Sequence, residues 1–259
     1  MIDLCVVNYK TPQLLSRLLE TLLLSDGNCD FRLYVADNGS EDNSVIILED
    51  WSKRYDIEIV QNKNIGFSAA CNNLASRGNG DIIALLNADV WFTNSHLAQV
   101  QAAFDCDPTV SILGPKQRDE MGRVRHAGIF GTNEQPRHRG WGDEDKEDIK
   151  YRDQVEAVTI SGSAYFVRRS VWEDLTHCPV YQDLFPEALG AFLPTPHYYE
   201  ETFCSYHARH HGYKVVYDGT ISIGHSWHAS SSVGEAEKYL DISRNLFRQA
   251  CDKHGIARD

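Results

Sequence analysis

The stretch N79-G-D-I-I-A-L-L-N-A-D-V-W-F-T93 decides how this chain is read. Gly80-Asp81 closes a loop, and Ile82 to Leu86 form a short apolar run between turn-forming residues. A run that short, so flanked, reads as a strand buried on both faces of a parallel sheet. It ends in Asn87-Ala88-Asp89 and then aromatic Trp91 and Phe92. Ligands of open α/β sheets sit beyond the carboxyl ends of the strands. Asp89 thus stands where a carboxylate can hold a divalent cation against a phosphate. The ordinary reading is that it caps a turn before a helix starting near Ser95, and this stretch alone does not choose between them.

Working outward, the same pattern recurs. Ile2–Val7 is a strand that stops at Asn8-Tyr9-Lys10, and Thr11-Pro12 opens a helix. Leu14, Leu18 and Leu22, like Leu15, Leu19 and Leu23, recur at helical spacing, which gives that helix an apolar face. Phe31–Ala36 is a second strand ending in Asp37-Asn38-Gly39-Ser40. A helix follows with Val45, Ile46, Ile47, Leu48 and Trp51. Ile57–Val60 is a third strand, Asn62, Asn64 and Gly66 make the next turn, and Phe67–Ala75 is a third helix. Strand, polar turn and helix in alternation imply a parallel sheet with right-handed crossovers. The turns at Asn8-Tyr9, Asp37-Asn38, Asn64–Gly66 and Asn87–Asp89 then share one sheet edge. No GxGxxG or GxxxxGK[ST] accompanies them, which disfavours dinucleotide and P-loop sites. Amide and acid groups suit a base N–H, ribose hydroxyls and a metal better than bare phosphate.

The totals bound the function classes. The chain has 259 residues, 42% of them hydrophobic, enough for one large α/β domain. No run approaches the roughly 18 apolar residues of a membrane span, and MIDLCVVNY has no basic leader. A formal net charge of -12 argues against a broad phosphate-backbone footprint, and so disfavours a nucleic-acid partner. A single-stranded or nucleotide acceptor needs little basic surface and stays open. The 7 cysteines are scattered, odd in number and without CxxC, which reads as reduced thiols in a cytoplasmic setting.

In the second half, Val110–Leu113 reads as a strand and Asp119-Glu120-Met121-Gly122 as a hairpin turn. The stretch from Thr132 to Arg152 is long and polar, and its run DEDKED (143–148) reads as a solvated flap. Trp141, His138 and Arg139 are candidates to close over a ligand. Val155–Val167 reads as one strand containing Ser161-Gly162-Ser163, where a glycine marks either a bulge or close approach of a ligand. Ser170 reads as the cap of a short helix. A helix starts at Tyr198–Thr202, where Glu200 and Glu201 are also ordinary first-turn acids. Tyr213–Tyr217 is a further strand, and Glu235–His254 an amphipathic helix.

VVNY (6–9), VADNGSED (35–42), NKNIGFSAACN (62–72) and DIIALLNAD (81–89) together resemble the successive motifs of family 2 glycosyltransferases of the GT-A type. The nearest subgroup is rhamnosyltransferase-like and O-antigen-type. GRVRHAGIFG (122–131), VTISGSAYFVRRSVW (158–172), YYEETFCSYHARHHGYKVVY (198–217) and the His225 segment extend the resemblance over nearly the whole chain. The resemblance implies an α/β GT-A fold over 1–259, with a donor half (1–115) and an acceptor half (116–259). It implies an inverting, Mn²⁺- or Mg²⁺-dependent transfer from a nucleotide-diphosphate sugar to an acceptor hydroxyl. The acceptor would be a glycan, a lipid-linked saccharide or another hydroxyl-bearing molecule.

With the polar turns, the resemblance makes Asn8, Tyr9, Asp37, Asn38, Asn64, Gly66, Asn73, Asn87, Ser161 and Gly162 the expected nucleotide-sugar contacts. Asp89 and His225 become the expected metal ligands, with His228 as runner-up and Ser230, Ser231 and Ser232 near phosphate. Counting back from Gly212, Glu201 falls on the catalytic base, an Asp in the subgroup. Three departures stand out: Asn87 replaces the first acid of a DxD-like element, Phe203 replaces a second acid, and residues 176–197 replace a Gly-Gly-Phe-Asp-Glu turn. Two rivals follow: a sugar-1-phosphate nucleotidyltransferase, whose Gly-rich basic signature is missing, and a catalytically silent nucleotide-sugar-binding module.

Overall fold

The alternation in the first half builds what it predicts. In the computed structural model, which describes residues 1–25, 29–94, 96–132, 135–226 and 238–258, β1 (Ile2–Asn8), β2 (Phe31–Asp37), β3 (Ile57–Gln61) and β4 (Ile82–Asn87) are parallel neighbours in the order β4-β1-β2-β3. Helices α1 (Pro12–Ser25), α2 (Ser44–Ser52) and α3 (Phe67–Ala75) connect them. β1 shows why both sheet faces must be covered. Ile2, Leu4 and Val6 pack with Leu15, Leu18, Leu19 and Leu22 of α1, whereas Cys5 and Val7 pack with Ala70, Cys71 and Leu74 of α3. Side chains alternate across a strand, so the continuous apolar runs feed two cores, one on each side of the sheet.

The second half extends this sheet. α4 (His96–Cys106) leads to β6 (Val110–Arg118), which turns through Asp119–Gly122 into antiparallel β7 (Val124–His126). β11 (Ala164–Arg168) lies antiparallel between β4 and β6. β12 (Lys214–His225) runs parallel to β6 and pairs with the two-residue β5 (Val90–Trp91) and with β10 (Gln154–Glu156). The full order is β10-β12-β6-β11-β4-β1-β2-β3. β8 (Ile129–Gly131) and β9 (Pro136–His138) form a separate ribbon. Helices α5 (Arg169–Thr176), α6 (Pro179–Leu184), α7 (Glu200–His210) and α8 (Leu240–His254) complete the described elements. The expected mixed, mostly parallel α/β sheet flanked by helices is therefore present.

Four expectations change. Val155–Val167 is not one strand, because β10 and β11 stand apart with β12 and β6 between them. Residues 157–163 cross that gap, and Ile160 packs so closely on Gly114 that a Cβ there would lie 2.6 Å from its Cδ1. Ser170 lies within α5, whose N-cap is Arg168. β12 continues to His225 through an irregularity at Asp218–Ser222, where Asp218 Oδ1 accepts from the Thr220 N–H and hydroxyl. The C-terminal helix is described from Leu240; Glu235, His228, Ser95 and Ser230 to Ser232 lie outside the described residues.

The acidic run is also more than a solvated flap. Asp145 is buried, and its Oδ2 accepts from fully buried Lys116 at 2.8 Å. Its Oδ1 accepts from the N–H groups of Ile149 and Lys150, and Asp148 lies 2.6 Å from the same ammonium. Burial opposes ionisation of Asp145, but these bonds hold its pKa below the ordinary value. The segment that carries Trp141 is thus pinned to β6 beside Gln117.

Removing one partner of a buried pair strands the other charge. Lys116→Met should therefore cost about 3–5 kcal/mol in urea unfolding, while the double variant Lys116→Met/Asp145→Leu recovers much of the loss. A single-variant cost under about 1 kcal/mol would show the pair to be solvated.

Candidate active site

β1, β2, β4, β6 and β12 all point their carboxyl ends to one sheet edge, and antiparallel β11 brings its amino end there. A cleft of about 910 Å³ opens along this edge.

The β1 and β2 ends form a rigid back wall. Asn8 Nδ2 donates to Asp37 Oδ1 at 2.9 Å, Thr11 donates to Asn8 Oδ1 at 2.9 Å, and Asp37 Oδ2 accepts the Ser40 N–H. Asn8 and Asp37 are buried and are not among the cleft-lining residues. Their side chains tie the two strand ends together, and Tyr9, Thr11 and Asn38 face the cavity beside them. Asn38 Nδ2 donates to Asn64 Oδ1 and to the Gly66 carbonyl, and Asn38 Oδ1 accepts from the Ile65 N–H. Gly66 has φ +84° at the N-cap of α3, a conformation costly for any side chain. Asn73 lies elsewhere: it accepts from Arg77 Nε on the outer side of α3. Its neighbour Asn72 is the inward residue, bonded to both backbone groups of Phe192.

Asn87, Ala88 and Asp89 form the floor. β5 pairs with the end of β12, placing Val90 opposite His225. As a result His225 Nε2 lies 3.4 Å from Asp89 Oδ1, with both side chains only 7% exposed. Sequence separation hides this meeting, and the short β5–β12 pairing produces it. Among the described residues, Asn87 Oδ1, Asp89 Oδ1, Gln117 Nε2 and His225 Nδ1 are buried and make no hydrogen bond. Each such group costs about 1–3 kcal/mol unless a ligand satisfies it. No group of three or more His, Cys, Asp or Glu side chains gathers for a metal among those residues. The pair nevertheless fits a divalent cation. Two donors on an octahedral ion at about 2.1 Å stand about 3 Å apart, and such ions take further oxygens from phosphates and water. A candidate ion position therefore lies between Asp89 and His225, with Asn87 beside it.

The facing wall comes from the second half. Ser161, Gly162 and Ser163 turn into β11, with Ser163 Oγ donating to Gln117 Oε1 at 2.9 Å. A Cβ on Gly162 would stand 3.4 Å from the Glu201 carboxyl carbon and Oε2, so the backbone passes directly by that carboxyl. Glu200 and Glu201 start α7 after Tyr198 and Tyr199, which hold φ +66° and +68°. Paired left-handed residues of this kind are strained. Thr195 donates to Glu200 Oε2 at 3.3 Å. Burial raises the pKa of Glu201, and the charge of Glu200 raises it further; burial raises Glu200 as well. Phe203, at the position of the missing second acid, is buried and stacks on Tyr181 at 6.1 Å. His138 and Trp141 line the cleft, whereas Arg139 pairs with Asp153.

Several lining residues carry no role that the sequence motifs imply. His126 is buried, its pKa pushed down to about 3 by burial and by His138 and His225. It is therefore neutral, and its Nε2 accepts the Ser161 N–H. Arg125 and His126 lie inside the recognised stretch 122–131, so the motif was visible without the role. Gln117 carries no sequence signal.

Residues 3–175 match the family model described as Glycosyl transferase family 2. A hyaluronan synthase of Pasteurella multocida is 27% identical over 122 residues, which cover 45% of this chain and 12% of that protein. S. aureus TarS 1-349 superposes with TM-score 0.61 at 15% identity, covering 97% of this chain and 64% of that one. GalNAc-T7 with UDP, GalNAc and Mn²⁺ gives 0.64 at 13%, covering 87% and 43%. The mannosyltransferase PcManGT from Pyrobaculum calidifontis, in complex with GDP-Man and Mn²⁺, gives 0.60 at 14%, covering 97% and 73%. At these identities the structural likeness is one of fold, and the fold is that of the GT-A glycosyltransferases. The chain spans about an eighth of the length of the matched synthase and under two thirds of TarS 1-349.

The raised carboxyls have a stability signature. A group whose folded pKa exceeds its unfolded value favours folding fully below the unfolded pKa, and loses that contribution as pH rises through the folded value. Glu201→Gln should therefore match wild type in melting temperature near about pH 4 and exceed it increasingly toward about pH 9. A constant difference across that range would mean the carboxyl is not held protonated by its surroundings.

Proposed function

This chain belongs to glycosyl transferase family 2, and on that premise we propose that it transfers a sugar, with inversion, from a nucleotide-diphosphate sugar to an acceptor hydroxyl. One observation carries the reading. A half-buried carboxyl, Glu201, and a buried Asp89–His225 pair with unsatisfied atoms face one cleft built from the polar ends of the sheet.

The division of labour follows from chemistry. The nucleotide half of the donor lies along Tyr9, Asn38, Asn64 and Gly66, against the wall that Asn8 and Asp37 brace. Its diphosphate reaches Asn87 and Asp89. Asp89 and His225 would hold Mn²⁺ or Mg²⁺ there, which would supply positive charge to offset that of the departing diphosphate. Glu201 removes the acceptor proton as the acceptor oxygen bonds to the anomeric carbon. The bond from that carbon to the diphosphate oxygen breaks on the opposite face, and its electron pair leaves with the nucleoside diphosphate. Ser161 and Gly162 flank the sugar, with the Gly162 backbone passing the Glu201 carboxyl. Trp141, His138 and Tyr198 present flat apolar faces to the acceptor.

In this reading residues 1–259 act as one unit, with donor contacts mostly from 1–115 and the base and acceptor wall from 116–259. The donor is a hexosyl or deoxyhexosyl nucleotide, as in the rhamnosyltransferase-like subgroup. The acceptor is a glycan, a lipid-linked saccharide or a comparable hydroxyl-bearing molecule, and the setting is cytoplasmic. No described helix is long and apolar enough to cross a membrane.

The purified protein should release nucleoside diphosphate from a nucleotide sugar in the presence of Mn²⁺ and an acceptor. Glu201→Gln should lower kcat about 10²–10⁴-fold with little change in donor affinity by calorimetry; near wild-type transfer would remove Glu201 from the role. Because the base works ionised and its pKa is raised, kcat/KM should climb with pH, with a midpoint above the ordinary carboxylate range. Metal-dependent donor binding without turnover toward any acceptor would make the chain a binding module instead.

A further inference from the structure

The Asp89–His225 contact depends on a two-residue strand, and something must hold that strand. β5 contains only Val90 and Trp91. One face of the Trp91 indole lies on Gly224 so closely that a Cβ there would fall 1.7 Å from Cε2 and 2.1 Å from Cζ2. Cβ contacts of that length do not occur, so the glycine is what lets the ring seat on β12. Arg17 of α1 stacks over the indole with its Cζ 3.5 Å from the ring centroid. Trp91 is thus sandwiched between α1 and β12, with 9% of its surface exposed.

Further ties reinforce the sandwich. Thr21, one turn along α1, accepts the Phe92 N–H at 3.1 Å. Glu120, on the β6–β7 turn, accepts from Arg17 at 3.2 Å and from the Ser226 hydroxyl. The Ser226 N–H in turn donates to the Asp89 carbonyl at 2.9 Å. Arg17, Trp91, Glu120 and Gly224 line a second cavity of about 570 Å³, separate from the catalytic cleft. Gly224 immediately precedes His225, and Trp91 lies two residues after Asp89. The sandwich therefore fixes both chain segments that carry the pair.

We propose that Trp91, clamped between Gly224 and Arg17, is a positioning residue that sets the Asp89–His225 spacing and thereby the affinity for the divalent cation. The proposal rests on the metal reading given above, yet the spacing itself can be measured without metal. None of these clamp residues lines the catalytic cleft. Residues that orient metal ligands from behind commonly change metal affinity about 10–100-fold when altered. The exposed Arg17–Glu120 ion pair contributes little to stability by itself. Metal affinity should therefore respond to the clamp where global stability does not.

The test compares wild type with Arg17→Ala, Arg17→Lys, Trp91→Leu, Trp91→Phe and Gly224→Ala. Mn²⁺ binding is followed by electron paramagnetic resonance with UDP or GDP present, melting temperature is recorded in parallel, and crystal structures are solved without metal. Arg17→Ala and Trp91→Leu should weaken Mn²⁺ binding about tenfold or more. Arg17→Lys and Trp91→Phe should recover part of it, and Arg17→Ala should leave the melting temperature nearly unchanged. In metal-free crystals of Gly224→Ala or Trp91→Leu the Asp89–His225 contact, 3.4 Å in the wild-type chain, should open beyond hydrogen-bonding range. Arg17→Ala serves if the Gly224 and Trp91 variants fail to fold. Unchanged spacing and unchanged Mn²⁺ affinity in the folded variants would overturn the clamp. A wild type that binds no Mn²⁺ with either nucleotide would sink the metal reading, and the crystal spacing would still decide the clamp.

Discussion

The constraint on which the molecule depends is the direction of β11. Were it parallel to β4, its amino end would lie at the far side of the sheet, and Ser161–Ser163 would face away from Asp89. Because it runs antiparallel, the Asn87 N–H donates to the Ser163 carbonyl at 2.9 Å and the two halves meet at one edge. β6 and β12 are then restored to the direction of β4, which returns Gln117 and His225 to that edge. One reversed strand thus joins the parallel first half to a second half that carries Glu201. Ser163 also bridges to Gln117, so β11 and β6 are coupled at the cleft by side chains as well as by the ladder.

The first half was legible because its signals are local. Apolar runs of strand length, turns of Asn, Asp and Gly, and leucines at helical spacing sit next to one another in sequence. The second half depends on partners far apart. The break between β10 and β11 follows from a crossing that only the sheet order reveals, and Ile160 on Gly114 marks it. Asp145 in an acidic run reads as solvated until Lys116, 29 residues earlier, is seen beneath it. In the site, Tyr9, Asn38, Asn64, Gly66, Asn87, Asp89, Ser161, Gly162, Glu201 and His225 share the cleft. Asn8 and Asp37 stand one layer behind, because two polar residues at neighbouring strand ends satisfy each other first. Asn73 and Asn72 differ by one helical step, about 100° of rotation, and the sequence pattern did not resolve which faces inward. The resemblance, not the periodicity, singled out Glu201 and His225.

The cleft gathers several local irregularities in one place. Unpartnered atoms of Asn87, Asp89, Gln117 and His225 gather there, as do the left-handed Tyr198 and Tyr199 and the raised carboxyls of α7. Elsewhere buried charges are paired: Asp3 Oδ2 accepts from Arg169 and the Gly80 N–H, and buried Lys116 meets two aspartates and a carbonyl. Sequences depart from local consistency mainly where function demands it. The departures gathered at the cleft agree with the place to which the family resemblance points.

The electrostatics of the cleft then constrain how a reaction there can proceed. Asp89 and, when ionised, Glu200 and Glu201 supply negative charge, and a nucleotide diphosphate would bring more. A low-dielectric pocket magnifies that repulsion, so in the proposed reaction a cation between Asp89 and the diphosphate would favour donor binding as well as departure. The same crowding sharpens Glu201. A base with a raised pKa takes a proton more strongly but is ionised less often at a given pH. Glu200 raises Glu201 while it is itself charged, so whichever of the two holds a proton relieves the other. In the proposed reaction, proton transfer from the acceptor hydroxyl to Glu201 would remove a charge from beside Glu200, and that relief would add to the drive for the acceptor oxygen to attack.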